Sequence, residues 1–104
     1  MNIEVKILRN EYGKPAGKLA DAEIHFITGE LAGLKLVGFA IWEQRDGSGR
    51  SVTFPARQFI VMGDRRNFEL LRAIGSPKVL GRVRELVLRA YEQATQETVQ
   101  VVSQ

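Results

Sequence analysis

The chain has 104 residues, with 15 Lys and Arg against 12 Asp and Glu, one histidine and no cysteine. This length predicts a single domain. The lack of cysteine excludes a disulfide framework, a thiolate zinc site and a cysteine nucleophile, and one histidine excludes a metal site built from several imidazoles. No apolar run approaches the roughly 18 residues of a membrane-spanning helix, and the N-terminus lacks the layout of a signal peptide. We therefore expect a cytoplasmic protein with no membrane partner and no cofactor.

The net charge of +3 is the sum of unlike segments. Residues 1–44 carry five basic and six acidic residues, a net of −1, and residues 90–104 carry two acidic residues, a net of −2. Residues 45–89 carry ten basic and four acidic residues, a net of +6, and they hold nine of the ten arginines. Because arginine forms bidentate contacts with phosphate or carboxylate, this segment indicates binding to a polyanion.

Alternating apolar and polar residues predict strands over residues 3–9 and 19–28, separated by a loop over 10–18. Residues 34–43 are apolar on both faces, which is typical of a strand covered on both sides. Its side chains divide between two faces, with Leu34, Leu36, Ala40 and Trp42 on one and Val37, Phe39 and Ile41 on the other. Gly38 within this strand predicts a bulge or a close backbone approach.

The Asp-Gly step within residues 45–50 predicts a hairpin connection, followed by a strand over 51–54 that Pro55 ends. Residues 58–62 form a short apolar run that fits either an extended edge or a loop. Residues 68–74 fit a strand or a helix by periodicity, and we favour a strand because a helix begins soon afterwards.

Ser76 is a good N-cap and Pro77 fits the first helical position. An apolar stripe then follows at helical spacing: Val79, Leu80, Val83, Leu86, Val87, Ala90, Tyr91 and Ala94. The fold class is therefore α+β, an antiparallel sheet of four to five consecutive strands with one C-terminal amphipathic α-helix. The domain covers residues 1–94, and residues 95–104 form a polar tail. Since one helix cannot cover both faces of such a sheet, the strand at 34–43 implies a second copy of the chain, a homodimer.

No catalytic motif is present, and neither form of glycine-rich phosphate loop occurs. His25 and Glu23 share the polar face of one strand, which fits a proton relay or an ordinary surface pair. We favour the surface pair, because no serine or cysteine nucleophile accompanies them, and we expect that the protein is not an enzyme.

The basic residues of the middle segment are the candidate functional site. Arg57 follows the strand that Pro55 ends, Arg65 and Arg66 fall in the next predicted loop, and Lys78 lies in the first helical turn, where free N–H groups favour phosphate. The predicted nucleic-acid-binding residues are Arg57, Arg65, Arg66, Lys78, Arg82 and Arg84.

Several segments together resemble the stage V sporulation protein G (SpoVG, septation regulator) family. They are residues 20–26, 34–37, 52–57 with the Phe-Pro-Ala-Arg step, 68–74, and a helix that ends near Tyr91. The resemblance covers roughly residues 3–92. It implies an antiparallel sheet with a C-terminal helix, a homodimer, and site-selective binding to DNA, with RNA as an alternative, in a regulatory role. By position, the family's basic surface falls on Arg57, Arg65, Arg66, Lys78 and Arg82.

Two functions from different classes follow from these observations. The first is a homodimeric regulator that binds nucleic acid, DNA first, through its Arg and Lys surface. The alternative is a protein–protein interaction module without nucleic-acid binding, which docks its partner through the apolar strands or residues 59–62.

Overall fold

A computed structural model describes the backbone of residues 2–103 and the side chains of residues 2–95. Strands β1 (Ile3–Arg9), β2 (Lys18–Phe26), β3 (Lys35–Glu43) and β4 (Arg50–Thr53) form one antiparallel sheet in chain order. Strands β5 (Ala56–Val61) and β6 (Asp64–Glu69) form a separate two-stranded sheet, and helix α1 (Lys78–Ser103) follows. The predicted α+β fold class is confirmed. Beyond Thr95, the predicted polar tail lies outside the residues whose side chains are described.

The hydrophobic core lies between one face of the four-stranded sheet and α1. Alternate residues of the strands point toward the helix, because successive side chains of a strand face opposite sides of the sheet. Two helix side chains, Val87 and Tyr91, are buried against them. The buried core consists of Ala20, Ala22, Ile24, Phe39, Ile41, Val52, Val87 and Tyr91.

A β-bulge interrupts the pairing of β2 with β3. Ala22 pairs with Phe39 and Ile24 pairs with Leu36, so that two residues of β3 lie opposite Glu23 alone. The extra residue reverses the alternation of faces, and Leu36 packs against the same core as Phe39. The predicted separation of Leu36 from Phe39 is therefore wrong, because it assumed unbroken alternation.

Gly38 lies in the bulge, and it also makes the close approach that its position predicted. Its φ of +112° belongs to a region that residues with a side chain rarely adopt. A Cβ atom built on Gly38 would lie 3.0 Å from the Cβ of Pro55, which is buried just after β4. Pro55 therefore packs directly against the backbone of β3.

Strands β5 and β6 form a hairpin that we call the arm. Met62 and Gly63 connect the two strands, and both have the positive φ that a type I′ turn requires. The N–H of Leu70 donates to the carbonyl oxygen of Pro55 at 2.9 Å and closes the base of the arm. All residues of both strands are exposed.

The structure settles the state of one predicted segment in this region and differs from the prediction for another. The run at 58–62 is a strand up to Val61 and a turn at Met62. The predicted strand at 68–74 is wrong beyond Glu69, because residues 70–77 carry the chain without regular structure from the base of the arm to the helix.

The start of α1 follows its predicted capping. The Oγ of Ser76 accepts a hydrogen bond from the N–H of Lys78 at 3.3 Å, which satisfies a donor that the helix itself leaves free. The apolar stripe is narrower than predicted, because Val79 and Leu86 are exposed while Val87 and Tyr91 are buried. Helix packing is centred on the second half of the stripe.

The outer face of the sheet, opposite α1, is largely polar. Lys6 pairs with Glu4 at 2.7 Å and Lys18 with Asp21 at 2.7 Å. The indole N–H of Trp42 donates to the hydroxyl of Thr53 at 2.9 Å. Since the bulge turns Leu36 to the core, this face holds less apolar surface than predicted. An uncovered apolar face of the sheet is therefore not a reason to expect a second copy of the chain.

Replacing Gly38 by alanine should destabilise the protein by about 2 kcal/mol or more, because the new Cβ meets Pro55 and the backbone keeps a strained φ. Urea denaturation followed by circular dichroism measures this loss. Gly49→Ala is the control, since Gly49 has no neighbour within 4 Å of an added Cβ. Equal stability of the two variants would contradict the close approach.

Candidate nucleic-acid interface

The register of the arm places six side chains on one face: Val61 and Asp64 lie next to the turn, and the four nearer the base form what we call its aromatic face. Arg57 pairs with Phe68, and Phe59 pairs with Arg66. Paired residues project to the same side, and so do residues two apart along a strand. Arg57, Phe59, Arg66 and Phe68 therefore alternate in a checkerboard of two arginines and two phenylalanines.

The opposite face of the arm carries Arg65. Ile60 pairs with Arg65, and Gln58 pairs with Asn67. The loop predicted for Arg65 and Arg66 is wrong, because the turn comes earlier, at Met62, and both arginines lie within β6. As neighbours in a strand they point to opposite sides, so only Arg66 joins Arg57.

Two concave regions meet at Phe68. A shallow cavity of about 360 Å³ is lined by Arg57, Phe59 and Phe68. A separate groove is lined by Phe68 together with Arg72, Pro77, Leu80 and their neighbours. Phe68 thus stands between the two. The guanidinium of Arg72 lies 5.0 Å from the centre of its ring, a cation–π contact.

The three predicted residues of the helix are exposed, and the first of them lies between two residues that line the groove, Pro77 and Leu80. Lys78 is the first residue of α1, directly after Pro77 of the groove. Arg82 follows one turn later. The guanidinium of Arg84 lies 5.8 Å from the ring centre of Phe54, near the root of the arm. The groove brings the helix start beside the base of the aromatic face.

The arginines of the arm differ from the lysines of the sheet in their pairing. Lys6, Lys18 and Lys35 each form an ion pair with a carboxylate. Among the described residues, Arg57 and Arg66 have no ion pair. An arginine that does form an ion pair is Arg89, which lies 4.0 Å from Glu85 on the helix rather than on the arm. The positive charge of the arm is therefore free to meet an external anion.

Three residues of this surface were not predicted as site residues: Phe59, Phe68 and Arg72. The sequence does contain a signal for the first two, since Arg57 and Phe59 are two residues apart, as are Arg66 and Phe68. That spacing places each pair on one face of a strand. It becomes informative only once 56–69 is known to be a hairpin.

The pair of His25 and Glu23 lies on the outer face of the sheet. The Nε2–H of His25 donates to the carboxylate of Glu23 at 2.9 Å, and Lys35 donates to the same oxygen at 3.4 Å. The hydrogen bond from His25 is the largest cause that holds the pKa of Glu23 below its ordinary value. Among the described residues, no group of three or more His, Asp or Glu side chains is placed to hold a metal ion.

Comparisons with known proteins returned no matching family model, no matching curated protein and no matching solved structure. The resemblance to the SpoVG family therefore stays a prediction. Within the described part of the chain, no helix combines the length and apolar character needed to cross a membrane.

The carboxyl group of Glu23 should titrate below its ordinary pKa of 4.5, and His25→Ala should move it upward. Because the folded pKa is lowered, the pair stabilises the fold above that ordinary value and loses its effect as the pH falls through the folded pKa. Carboxyl carbon NMR across an acid titration measures both values. An unchanged Glu23 pKa in the variant would show that His25 is not the cause.

Proposed function

We propose that this protein binds nucleic acid, with DNA as the first ligand, through the aromatic face of the arm and the cationic start of α1. The observation that carries the proposal is the set of exposed arginines on the arm that form no ion pair with any described residue and alternate with exposed phenylalanines. A surface of this kind offers charge to phosphates and flat apolar rings to bases.

The physical support is electrostatic. Segment 56–84 carries seven basic residues and two acidic ones, a net of +5. Cations that neutralise phosphates release the condensed counterions of the nucleic acid, and this release provides affinity that does not depend on sequence. Arginine adds bidentate hydrogen bonds to phosphate oxygens. Three of the seven basic residues lie on the exposed two-stranded arm, which presents them to a ligand without rearrangement of the sheet, and the other four follow between its base and the first turns of the helix.

The proposal includes a regulatory role, a homodimer in the cytoplasm, and membership of the SpoVG family. The regulatory role, the homodimer and the family membership rest on the sequence resemblance, and the cytoplasmic location rests on the composition and hydropathy of the sequence. A second subunit would double the number of cationic arms, which strengthens binding when both contact one strand.

A second candidate function is a protein–protein interaction module. It is favoured by the apolar side chains near the tip and base of the arm, where Ile60 is 71% exposed, Met62 98% and Leu70 60%. Exposed apolar residues of this size often mark a surface that another protein covers. The unpaired arginines beside them favour nucleic acid, because a protein partner would have to supply matching carboxylates.

Replacing Arg57 and Arg66 together by glutamine should weaken binding to a 20-base-pair DNA by about tenfold at low salt, because two phosphate contacts are lost. The slope of log K against log salt, about −4 to −5 for the wild type if four to six phosphates are neutralised, should become shallower by about 2. Fluorescence anisotropy across a salt series measures both quantities.

The matched control replaces Lys6 and Lys35 by glutamine. It removes the same amount of charge from residues that already pair with carboxylates. We expect little change in its DNA affinity. If both double variants bind equally weakly, net charge rather than the arm determines binding. If the wild type shows no saturable binding at low salt to this duplex or to a single strand, the nucleic-acid proposal fails and the protein-interaction module takes its place.

The homodimer should appear in solution as a mass twice the 11.7 kDa of one chain. Size-exclusion chromatography with multi-angle light scattering measures it at the protein concentrations used for DNA binding. The mass of a single chain at those concentrations would contradict the homodimer, while leaving binding by one arm open to the test above.

A further inference from the structure

We infer that the aromatic face of the arm selects unpaired bases, so that the ligand is single-stranded nucleic acid held by stacking on Phe59 and Phe68. This inference rests on the proposed function and specifies its substrate class. It depends on where the two rings lie relative to the arginines and to the cavity between them.

Both rings of the aromatic face are exposed. Phe59 is 37% exposed and Phe68 47% exposed, although a phenylalanine in a domain of this size is ordinarily buried. Together with Arg57 they line the same open cavity. Two rings at diagonal positions of a hairpin are neighbours, yet these two leave a concave space between them. A flat apolar group can enter that space and contact both rings.

Each ring of the aromatic face lies beside positive charge. Arg57 lies opposite Phe68, and Arg66 lies opposite Phe59, so each ring has a cation as its direct cross-strand neighbour. In a single strand every base is attached to a phosphate. The checkerboard can therefore hold bases on the rings while the arginines contact the phosphates that join them. Arg72 adds a third cation beside Phe68, from the side of the groove.

A single strand and a duplex present different parts of their bases to a protein surface. In a duplex the bases are stacked on each other and only their edges are accessible, where hydrogen-bond donors and acceptors are read. Phenylalanine has neither. The faces of bases become available only when the strand is unpaired, and stacking on aromatic side chains is then tolerant of sequence. Contacts with phosphates alone give no role to the two exposed rings, whereas stacking on unpaired bases does.

The test uses fluorescein-labelled strands of twelve nucleotides: oligo-dT, oligo-rU, and an abasic strand that has the same phosphates without bases. We expect the wild-type protein to bind oligo-dT or oligo-rU about tenfold or more tightly than the abasic strand, since each stacked base contributes. The stronger of the two base-containing ligands identifies DNA or RNA as the source.

The double variant Phe59→Leu with Phe68→Leu keeps apolar side chains and removes the rings. It should lose most of this difference between base-containing and abasic strands. Ile60→Ala, on the opposite face of the arm, is the control and should bind all probes as the wild type does. Circular dichroism establishes that each variant is folded.

The outcomes separate the two proposals. If the wild type binds the abasic strand as tightly as oligo-dT and oligo-rU, the inference is wrong, whatever the behaviour of the variants, and binding through phosphates remains. Unchanged strand preference in the double variant also overturns it. If the wild type binds neither single strands nor the duplex at low salt, the proposed function itself fails.

Discussion

The contact between Gly38 and Pro55 is the constraint on which the rest of the structure depends. The bulge at Gly38 turns both Leu36 and Phe39 toward the helix, which completes the core on one face. The missing side chain of Gly38 also makes room for Pro55, and the carbonyl of Pro55 accepts the hydrogen bond that closes the base of the arm. One glycine thus links the packing of the sheet to the position of the arm.

Charge is distributed over this framework in two different ways. The lysines of the sheet are paired with carboxylates on a polar face, where they favour solubility and contribute little to stability. Arg57 and Arg66 of the arm are not paired among the described residues, and their neighbours are aromatic. The arm itself carries three arginines and two acidic residues, a net of +1, and the chain from its base to the start of the helix adds four further cations. This arrangement separates the part of the chain that folds from the part that is available to a ligand.

The sequence predicts most of the fold because most of the fold buries one side of each element. The alternation of apolar residues in β2 and their helical spacing around Val87 both arise because one face of each element is buried. The arm has no buried face, so residues 56–69 show no alternation, and its Met-Gly turn lacks the usual Asn-Gly or Asp-Gly signal. The candidate site is equally hard to predict from the sequence, because it lies on the arm. Its arginines are evident from composition, whereas their division between two faces requires the register.

The two-residue turn of the arm has a consequence for how the chain can vary. Strand residues alternate between faces, so adding a single residue to β5 or β6 would carry every position beyond it to the other side. Arg66 and Phe68 would then part from Arg57 and Phe59. Insertions in pairs, one residue in each strand on the turn side of Phe59 and Arg66, would instead lengthen the ribbon and leave the aromatic face intact. Length variation that preserves this surface is therefore restricted to even steps.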